Sequence, residues 1–229
     1  MEGVELDGNS HLRLHLLKKG DDYFSPHLQT GSLTYDIPKD SKGFWPFGKF
    51  EQPKFMHRYG FYEVRCRHNR NAGWHAAFWL QAPGIGSTPD PRRAGIECDI
   101  MENYPLHLQG EVICGNIWGG YGKDCKAEPK HFRIPTDTSS EIWHYYGVDW
   151  SPEGYVFYAD GKEVGRQESP VSEVEQFILL STECHGYRGA GFGMKKEPHE
   201  PGTPAPMLKK AQLPDYFEVD FVRVFDQVT

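Results

Sequence analysis

The sequence predicts an all-β fold, specifically a β-sandwich or jelly roll. Segments along the whole chain alternate apolar and polar residues with a period of two, as half-buried strands do, and helical periodicity is almost absent. The 25 Gly and 17 Pro indicate many turns between short strands. A length of 229 residues suits one such domain, so residues 1–229 are expected to fold as a single unit.

The alternating segments are the predicted strands, in chain order. They are HLRLHL (11–16), GFYEVRCR (60–67), EVICGNIW (111–118), GYVFYADGKEVGR (154–166), FILLSTE (177–183) and YFEVDFVRVF (216–225). Within the fourth segment, Asp160-Gly161 predicts a hairpin turn, since these residue types tolerate the positive φ of a tight turn. Loop-rich stretches at 81–95 and 186–207 interrupt the strands, and the first leads directly into a cluster of acidic residues.

Charge and hydropathy exclude several classes of partner. The net charge of −7 and the pI of about 5.9 disfavour nucleic acid and anionic membranes. No stretch of about eighteen apolar residues is present, so membrane insertion is not expected. Aromatic residues make up 14% of the chain, and their rings suit either a β core or stacking on sugars. The five cysteines match neither a zinc site nor a disulfide framework, although Cys114 and Cys125 could pair across a loop.

The stretch IECDIMENY (96–104) crowds three carboxylates, Glu97, Asp99 and Glu102. On a regular strand Glu97 and Asp99 share one face, whereas Glu102 would point to the opposite, buried face. An ionised carboxylate is costly in that position unless it is paired. We therefore predict a β-bulge at Ile100-Met101, which adds one residue and returns Glu102 to the face of the other two acids.

Three acids on one face suit the hydrolysis of a glycosidic bond. A retaining glycosidase needs a nucleophilic carboxylate and a carboxylic acid about 5–5.5 Å apart. Asp99, between the two glutamates, could orient the nucleophile and help to keep the acid partner protonated. A solvated acidic strand face, or a cation site that uses two or three of the carboxylates, explains the same pattern.

The order of these segments resembles glycoside hydrolase family 16. The resemblance covers nearly the whole chain and rests on SPHLQTGSLTY (25–35), YGFYEVRCR (59–67), AFWLQ (77–81), IECDIMENY (96–104), WHYYGVDWSPEGYVFYADGKEV (143–164) and YFEVDFVRVF (216–225). It implies a jelly roll of the concanavalin A type, with two curved antiparallel sheets and a concave substrate cleft. It also implies that Glu97 is the nucleophile, Asp99 the assisting carboxylate and Glu102 the general acid/base.

The activity implied by this resemblance is endo-acting, retaining hydrolysis of a β-glycan. Internal β-1,3 or β-1,4 linkages of a polysaccharide or oligosaccharide, from the β-glucan or β-galactan class, would be cleaved by double displacement. The bulged motif is typical of members that act on laminarin, agar, porphyran and carrageenan, and the unbulged one of lichenases and xyloglucan transferases. A non-catalytic, lectin-like carbohydrate-binding jelly roll and a transglycosylase are the alternatives.

The resemblance also sets expectations about the state of the protein. No cofactor is expected for catalysis, and the enzyme is expected to be a monomer that is secreted, periplasmic or on the cell surface. The first residues, MEGVELDGNS, carry no apolar core of a signal peptide. Family members usually have an additional strand and loop before the equivalent of HLRLHL, so either this protein does without them or the chain is truncated. Many members hold a structural calcium with a C-terminal Asp, which here corresponds to Asp220. A hydrogen-bonded strand Asp explains that residue equally well.

Aromatic and polar residues near the acids are the candidates for substrate contacts. Rings would stack on sugar faces, and amide or imidazole groups would bond hydroxyls; the candidates are Trp118, Trp79, Trp74, Tyr104, Trp45, Asn116 and His75. Two of these segments depart from the family pattern. The family's WPAFW is WHAAFW here, with His75 in the usual Trp position, and its HWGG begins with Ile117.

Overall fold

The computed structural model is a sandwich of two antiparallel sheets, which confirms the predicted fold class. It describes residues 2–31, 52–104, 110–121, 123–127, 131–137, 139, 141–185 and 203–226. Within these ranges no helix has the length and apolar character needed to cross a bilayer. The helical pieces among the described residues are a single turn, α1 (Pro91–Ala94), and one 3₁₀ segment (Pro206–Lys210).

The outer sheet contains seven of the described strands. In spatial order these are β1 (Val4–Leu6), β2 (Leu12–His15), β15 (Tyr216–Phe225), β6 (Gly60–Arg67), β11 (His144–Ser151), β12 (Gly154–Ala159) and β13 (Lys162–Gln167). The turn between β12 and β13 is the predicted Asp160-Gly161 hairpin, in which both residues have positive φ. The chain therefore reverses here at two residue types that favour a tight turn.

The inner sheet contains six of the described strands and carries the acidic cluster. In spatial order these are β10 (Phe132–Pro135), β9 (Glu111–Ile117), β8 (Glu97–Asn103), β7 (His75–Gln81), β14 (Phe177–Glu183) and β5 (His27–Gln29). A separate hairpin pairs β3 (Leu17–Lys19) with β4 (Asp22–Phe24). β8 thus lies near the middle of the sheet, with a neighbour on each side to hold its register.

The main core fills the space between the sheets. On β6 every second residue is buried, so the predicted alternation holds along the whole strand. Trp150 of β11 and Tyr155 of β12 are fully buried, and their rings stack with centroids 5.9 Å apart. The same core contains Cys98 and Cys114 of the inner sheet, whose thiols are free. The pairing that Cys114 and Cys125 could have formed is not present, because Cys114 packs between the sheets while Cys125 is exposed.

A satellite core beside the main one contains Trp74. The indole is 2% exposed and packs with a cluster formed by Leu16, Tyr23, Cys184, Ala205 and Leu208. Its Nε1–H donates to Asp215 Oδ2 over 2.9 Å. The prediction that Trp74 contacts substrate is therefore wrong, because the indole is buried in this cluster and its N–H is bonded to Asp215.

Asp215 ties the chain between β6 and β7 to the base of β15. Its carboxylate accepts the backbone N–H of Arg70 over 3.0 Å and that of Asn71 over 2.8 Å, besides the indole N–H of Trp74. The residue is 1% exposed, so these donors replace the water that a buried anion loses. The residues bound by Asp215 immediately precede β7, which is the neighbour of the acidic strand β8.

We expect Asp215→Asn to destabilise the protein strongly. An amide presents one oxygen and one N–H₂ to a set of donors, so at least one buried N–H loses its acceptor, at a cost of about 2–4 kcal/mol. Urea unfolding measures this loss. Asp220→Asn is the control, since Asp220 forms a partly exposed pair with Arg65, and its loss should cost about 1 kcal/mol or less. Equal losses in the two variants would contradict this account of Asp215.

Candidate active site

The three acids reach one face through a bulge in β8. Asp99 pairs with Gly115 of β9, and Glu102 pairs with Ile113. Between these two pairs β8 therefore contains one residue more than β9 does. Against β7, the acids lie opposite alternate residues in the register Gln81–Glu97, Trp79–Asp99 and Ala77–Glu102. Paired residues of antiparallel strands share a face, so all three carboxylates lie on the side away from the core.

The two residues inside the bulge both face the core. Ile100 and Met101 are 1% and 0% exposed and belong to the main core cluster. Met101 pairs with Phe78 of β7, while Ile100 is the extra residue that has no partner in that register. The predicted bulge at Ile100-Met101 is confirmed, and it moves Glu102 out of the core.

Two rings hold the Glu102 carboxylate. Tyr104 donates its hydroxyl to Glu102 Oε1 over 2.6 Å, and His75 Nε2 lies 3.1 Å from the same oxygen. The two rings stack on each other with centroids 4.3 Å apart, and both are almost completely buried. Tyr104 and His75 were predicted to contact substrate. The structure gives them a different role, because each uses its polar atom on Glu102 and a ring face on the other.

Tyr121 and Gln81 hold the Glu97 carboxylate. The Tyr121 hydroxyl donates to Glu97 Oε2, and the Gln81 amide donates to the Tyr121 oxygen. The amide also lies 3.4 Å from Glu97 Oε2. Sequence reasoning missed both residues. For Gln81 a signal existed, since strand alternation places it on the same face as Trp79.

Tyr121 reaches the site because the chain turns back after β9. Trp118 and Lys126 exchange backbone hydrogen bonds of 3.0 and 2.9 Å, which closes a loop over residues 119–125. The Gly119-Gly120 pair at the start of this loop is a sequence signal that a turn occurs there. It does not reveal that the next side chain folds back onto the acids.

His131 contacts the middle acid. Its Nε2 lies 3.2 Å from Asp99 Oδ2. Burial alone would lower the pKa of His131, but the hydrogen bond with Asp99 and the charges of Asp99 and Glu102 outweigh it and raise the pKa above 6.5. Sequence reasoning missed this residue as well, since nothing local distinguishes it from the other histidines.

The three remaining tryptophans among the predicted substrate contacts differ in their surroundings. Trp79 lies on the site face beside Asp99, half-buried, with its Nε1–H donated to Ser181 Oγ over 2.9 Å. That one face of the Trp79 ring stacks on a sugar stays a prediction. Trp118 is half-buried and packs against the main core, which disfavours the same role. Trp45 lies outside the described residues.

Asn116 does not face the acids. It pairs with Cys98 of β8, whose side chain belongs to the main core, and it is 1% exposed. The prediction that Asn116 bonds a substrate hydroxyl is therefore wrong. Alternation along β9 gives the site face to Gly115 and Ile117 instead.

The surroundings of Asp220 do not fit a calcium cage. Its carboxylate accepts a hydrogen bond from the Arg65 guanidinium. Among the described residues, no set of three closely spaced His, Cys, Asp or Glu ligand atoms includes Asp220. Calcium takes six to eight oxygen ligands, and a bound guanidinium would have to leave first. A structural calcium at Asp220 stays a prediction that Arg65 disfavours.

Comparison with known proteins connects this geometry to one family. The model of the family described as "Glycosyl hydrolases family 16" matches residues 18–178. A xylanase/beta-glucanase from Ruminococcus flavefaciens is 28% identical over 134 residues, which are 58% of this chain and 15% of the relative. The endo-1,3-1,4-beta-glycanase EglC of Rhizobium meliloti (strain 1021) is 28% identical over 127 residues, 55% of this chain and 24% of that protein. The chain therefore spans less than half the length of these relatives.

Solved structures share the fold. The laminarinase catalytic domain from Thermotoga maritima MSB8 superposes with a TM-score of 0.66 at 19% identity, and covers 100% of this chain and 82% of that one. The laminarinase from Flavobacterium sp. UMI-01 gives a TM-score of 0.65 at 17% identity, with coverage of 98% and 82%. The Bacillus licheniformis beta-glucanase gives 0.62 at 15% identity, with coverage of 98% and 83%. These jelly-roll proteins confirm the predicted architecture.

We expect Gly115→Ala to displace His131 from Asp99. An added Cβ would lie 2.9 Å from the imidazole Cδ2 and 3.1 Å from the His131 Cα, and the Gly115 φ of +153° is rarely adopted with a side chain. The clash should cost about 1–3 kcal/mol of unfolding free energy. Gly161→Ala is the control, since its positive φ is strained but no atom lies within 4 Å of the added carbon. Thermal melts and the imidazole NMR signal of His131 measure the effect, and an unchanged His131 signal in Gly115→Ala would contradict it.

Proposed function

The chain belongs to glycoside hydrolase family 16, and from that premise we propose that it cleaves internal β-glycosidic bonds of a β-glucan with retention of configuration. The observation that carries the proposal is the bulge of β8, which puts Glu97, Asp99 and Glu102 on one face of the inner sheet. A binding surface has no need of a strand irregularity that gathers three carboxylates. The relatives named as glucanases support a glucan over a galactan.

In the first step Glu102 acts as the acid and Glu97 as the nucleophile. Glu102 gives its proton to the glycosidic oxygen while a Glu97 oxygen attacks the anomeric carbon. The bond between that carbon and the glycosidic oxygen breaks, and the leaving sugar departs with a new hydroxyl. The product is a glycosyl ester of Glu97 with inverted configuration.

In the second step Glu102 acts as the base. It takes a proton from a water molecule, whose oxygen attacks the anomeric carbon from the face that the leaving sugar vacated. The ester bond to Glu97 breaks, and Glu97 is again a carboxylate. Two inversions give net retention, and Glu102 regains the proton that it needs for the next cycle.

The neighbours of the acids suit these roles. Tyr121 and Gln81 restrain the Glu97 carboxylate, so that its attacking oxygen is held in one orientation. Tyr104 and His75 occupy Oε1 of Glu102 and thereby define which oxygen can exchange protons with substrate or water. Trp79 lies beside Asp99, and we propose that its ring stacks on a sugar.

Polymer chemistry also favours a location outside the cytoplasm. A polysaccharide is too large to diffuse through a membrane, so an enzyme that cleaves it internally acts where the polymer is. We therefore propose that this enzyme is secreted, periplasmic or held on the cell surface, and that it acts as a monomer.

The proposed function is tested by digestion of a polysaccharide panel. Laminarin, lichenan, agarose and porphyran would be incubated with the protein, and reducing ends and product sizes would be measured. Release of mixed oligosaccharides from a glucan supports endo-acting hydrolysis. Release from agarose or porphyran alone would move the substrate to the galactans, and binding without any release would indicate a lectin-like protein. Transfer to an added acceptor sugar in preference to water would indicate a transglycosylase.

We expect Glu97→Ala and Glu102→Ala each to lower kcat by about 10³-fold or more, because each removes a group that makes or breaks bonds. Azide should restore turnover of an activated aryl β-glucoside in both variants, with opposite stereochemistry. In Glu97→Ala it takes the place of the nucleophile and gives an α-glycosyl azide. In Glu102→Ala it attacks the glycosyl-enzyme and gives a β-glycosyl azide, as proton NMR would show.

Glu111→Ala is the control for these variants. Glu111 lies on β9 and pairs with Arg133 at the surface, so its removal takes away a carboxylate without touching the three acids. Its kcat should stay close to that of the unmodified protein. The same azide anomer from both active-site variants would contradict the assigned roles.

We expect Tyr121→Phe to lower kcat/KM by about 10- to 100-fold, with little change in thermal stability. The ring remains, while the hydroxyl that donates to Glu97 is lost, so the nucleophile gains rotational freedom. Steady-state kinetics and a thermal melt measure the two effects. Tyr145→Phe is the matched control, since Tyr145 is 40% exposed on the outer sheet. Full activity in Tyr121→Phe would show that the hydroxyl has no part in orienting Glu97.

A further inference from the structure

His131, Gly115 and Asp99 lie in a line across the edge of the inner sheet. His131 directly precedes β10, whose first residue Phe132 pairs with Cys114 of β9. Gly115 in turn pairs with Asp99 of β8. The imidazole spans β9 to reach Asp99, with 3.2 Å between Nε2 and Oδ2. It can do so because Gly115 has no side chain, since a Cβ there would lie 2.9 Å from the ring.

The contact is largely shielded from solvent. The His131 side chain is 26% exposed and that of Asp99 is 7% exposed. A hydrogen bond in such a place is stronger than one at the surface, because little water competes for either partner. Neither of two other neighbours of His131 competes for its charge. Arg133 points to the surface and pairs with Glu111, and Gly115 has no side chain.

The charges that act on His131 come from β8. Asp99 and Glu102 both favour the protonated imidazole, and together with the hydrogen bond they more than offset the burial that would lower its pKa. The pKa of His131 is thus raised above 6.5, so the ring carries a positive charge below and around that pH. In that pH range a cation therefore lies beside two of the three acids.

We propose that His131 is a positioning residue for the reaction, which holds Asp99 in one orientation and couples the pH response of the acids to an imidazole. The proposal rests on the hydrolytic function proposed above. The side-chain torsion of an Asp carboxylate is broad, so a fixed donor is needed to hold its oxygens in place. His131 supplies that donor from a different strand than the acids.

The same contact predicts the direction of a pH effect. A cation beside carboxylates favours their ionised forms, so removing it lets them keep their protons to higher pH. The alkaline limb of the activity profile reports loss of the acid proton from Glu102. That limb should therefore move to higher pH when the charge of His131 is removed.

Two variants separate the donor from the charge. His131→Ala removes both, and should lower kcat by about 10- to 100-fold with little change in KM. His131→Gln keeps an N–H donor of similar reach but is never charged. It should recover most of kcat and move the alkaline limb upward by about half a pH unit or more. His15→Gln is the control, because His15 pairs with Glu5 on the outer sheet, and its profile should match that of the unmodified protein.

A merely structural role for His131 predicts a different result. Both variants would then lower the melting temperature, while the pH limbs and the kcat of the folded fraction would stay unchanged. That outcome would overturn the proposal. Recovery of kcat in His131→Gln together with an upward shift of the alkaline limb would support it.

An NMR titration tests the His131–Asp99 pair without substrate. Labelled imidazole signals of the protein should show that the pKa of His131 is higher than that of an ordinary histidine, and that it falls in Asp99→Asn, where the carboxylate charge is gone. An identical titration midpoint in the two proteins would overturn the pairing. If no glycan is hydrolysed, the proposed function and the role of His131 in it both fail, whereas the titration still decides whether the pair exists.

Discussion

The site depends on the burial of Ile100 and Met101 next to each other in the core. A regular strand points only one of two successive residues into the core between the sheets, and full burial of either side chain contributes about 1.5–3 kcal/mol. The bulge lets both enter the core, where they are 1% and 0% exposed. Its geometric consequence is that the next residue, Glu102, returns to the face of Glu97 and Asp99. Packing of apolar side chains thus determines where the carboxylates lie.

Three carboxylates on one face repel each other and lose water, and residues from the neighbouring strands and loops compensate for this loss. Each acid is wholly or partly withdrawn from water, so each needs donors from the protein. They come from different parts of the chain: Tyr121 from the loop after β9, His75 from β7 and His131 from the edge before β10. Every acid thereby receives a different partner, and groups of one chemical type acquire separate environments. Two-step acid/base chemistry requires that difference.

The correct predictions concern contacts between residues close in sequence, and an incorrect one, for Trp74, concerns a residue that is placed by a distant part of the chain. The bulge, the shared face and the Asp160-Gly161 turn follow from alternation and residue type within a few positions, and all three are confirmed. Trp74 was predicted at the cleft from its closeness in sequence to the acids, yet Asp215, far along the chain, holds it in a satellite core. Asn116 lies one position out of step with Gly115 and Ile117, so alternation along β9 already predicts that it faces the core with Cys98.

The sequence by itself determined the all-β class, the strands, the bulge and the common face of Glu97, Asp99 and Glu102. These are local properties, since a period of two and the burial of two successive apolar residues can be read within one strand. Only the tertiary structure decided the partners of those acids. Tyr121 and His131 reach them because β8, β9 and β10 lie side by side, and strand order is a property of the whole sheet. IECDIMENY specifies the acids, and the surrounding strands specify what each acid can do.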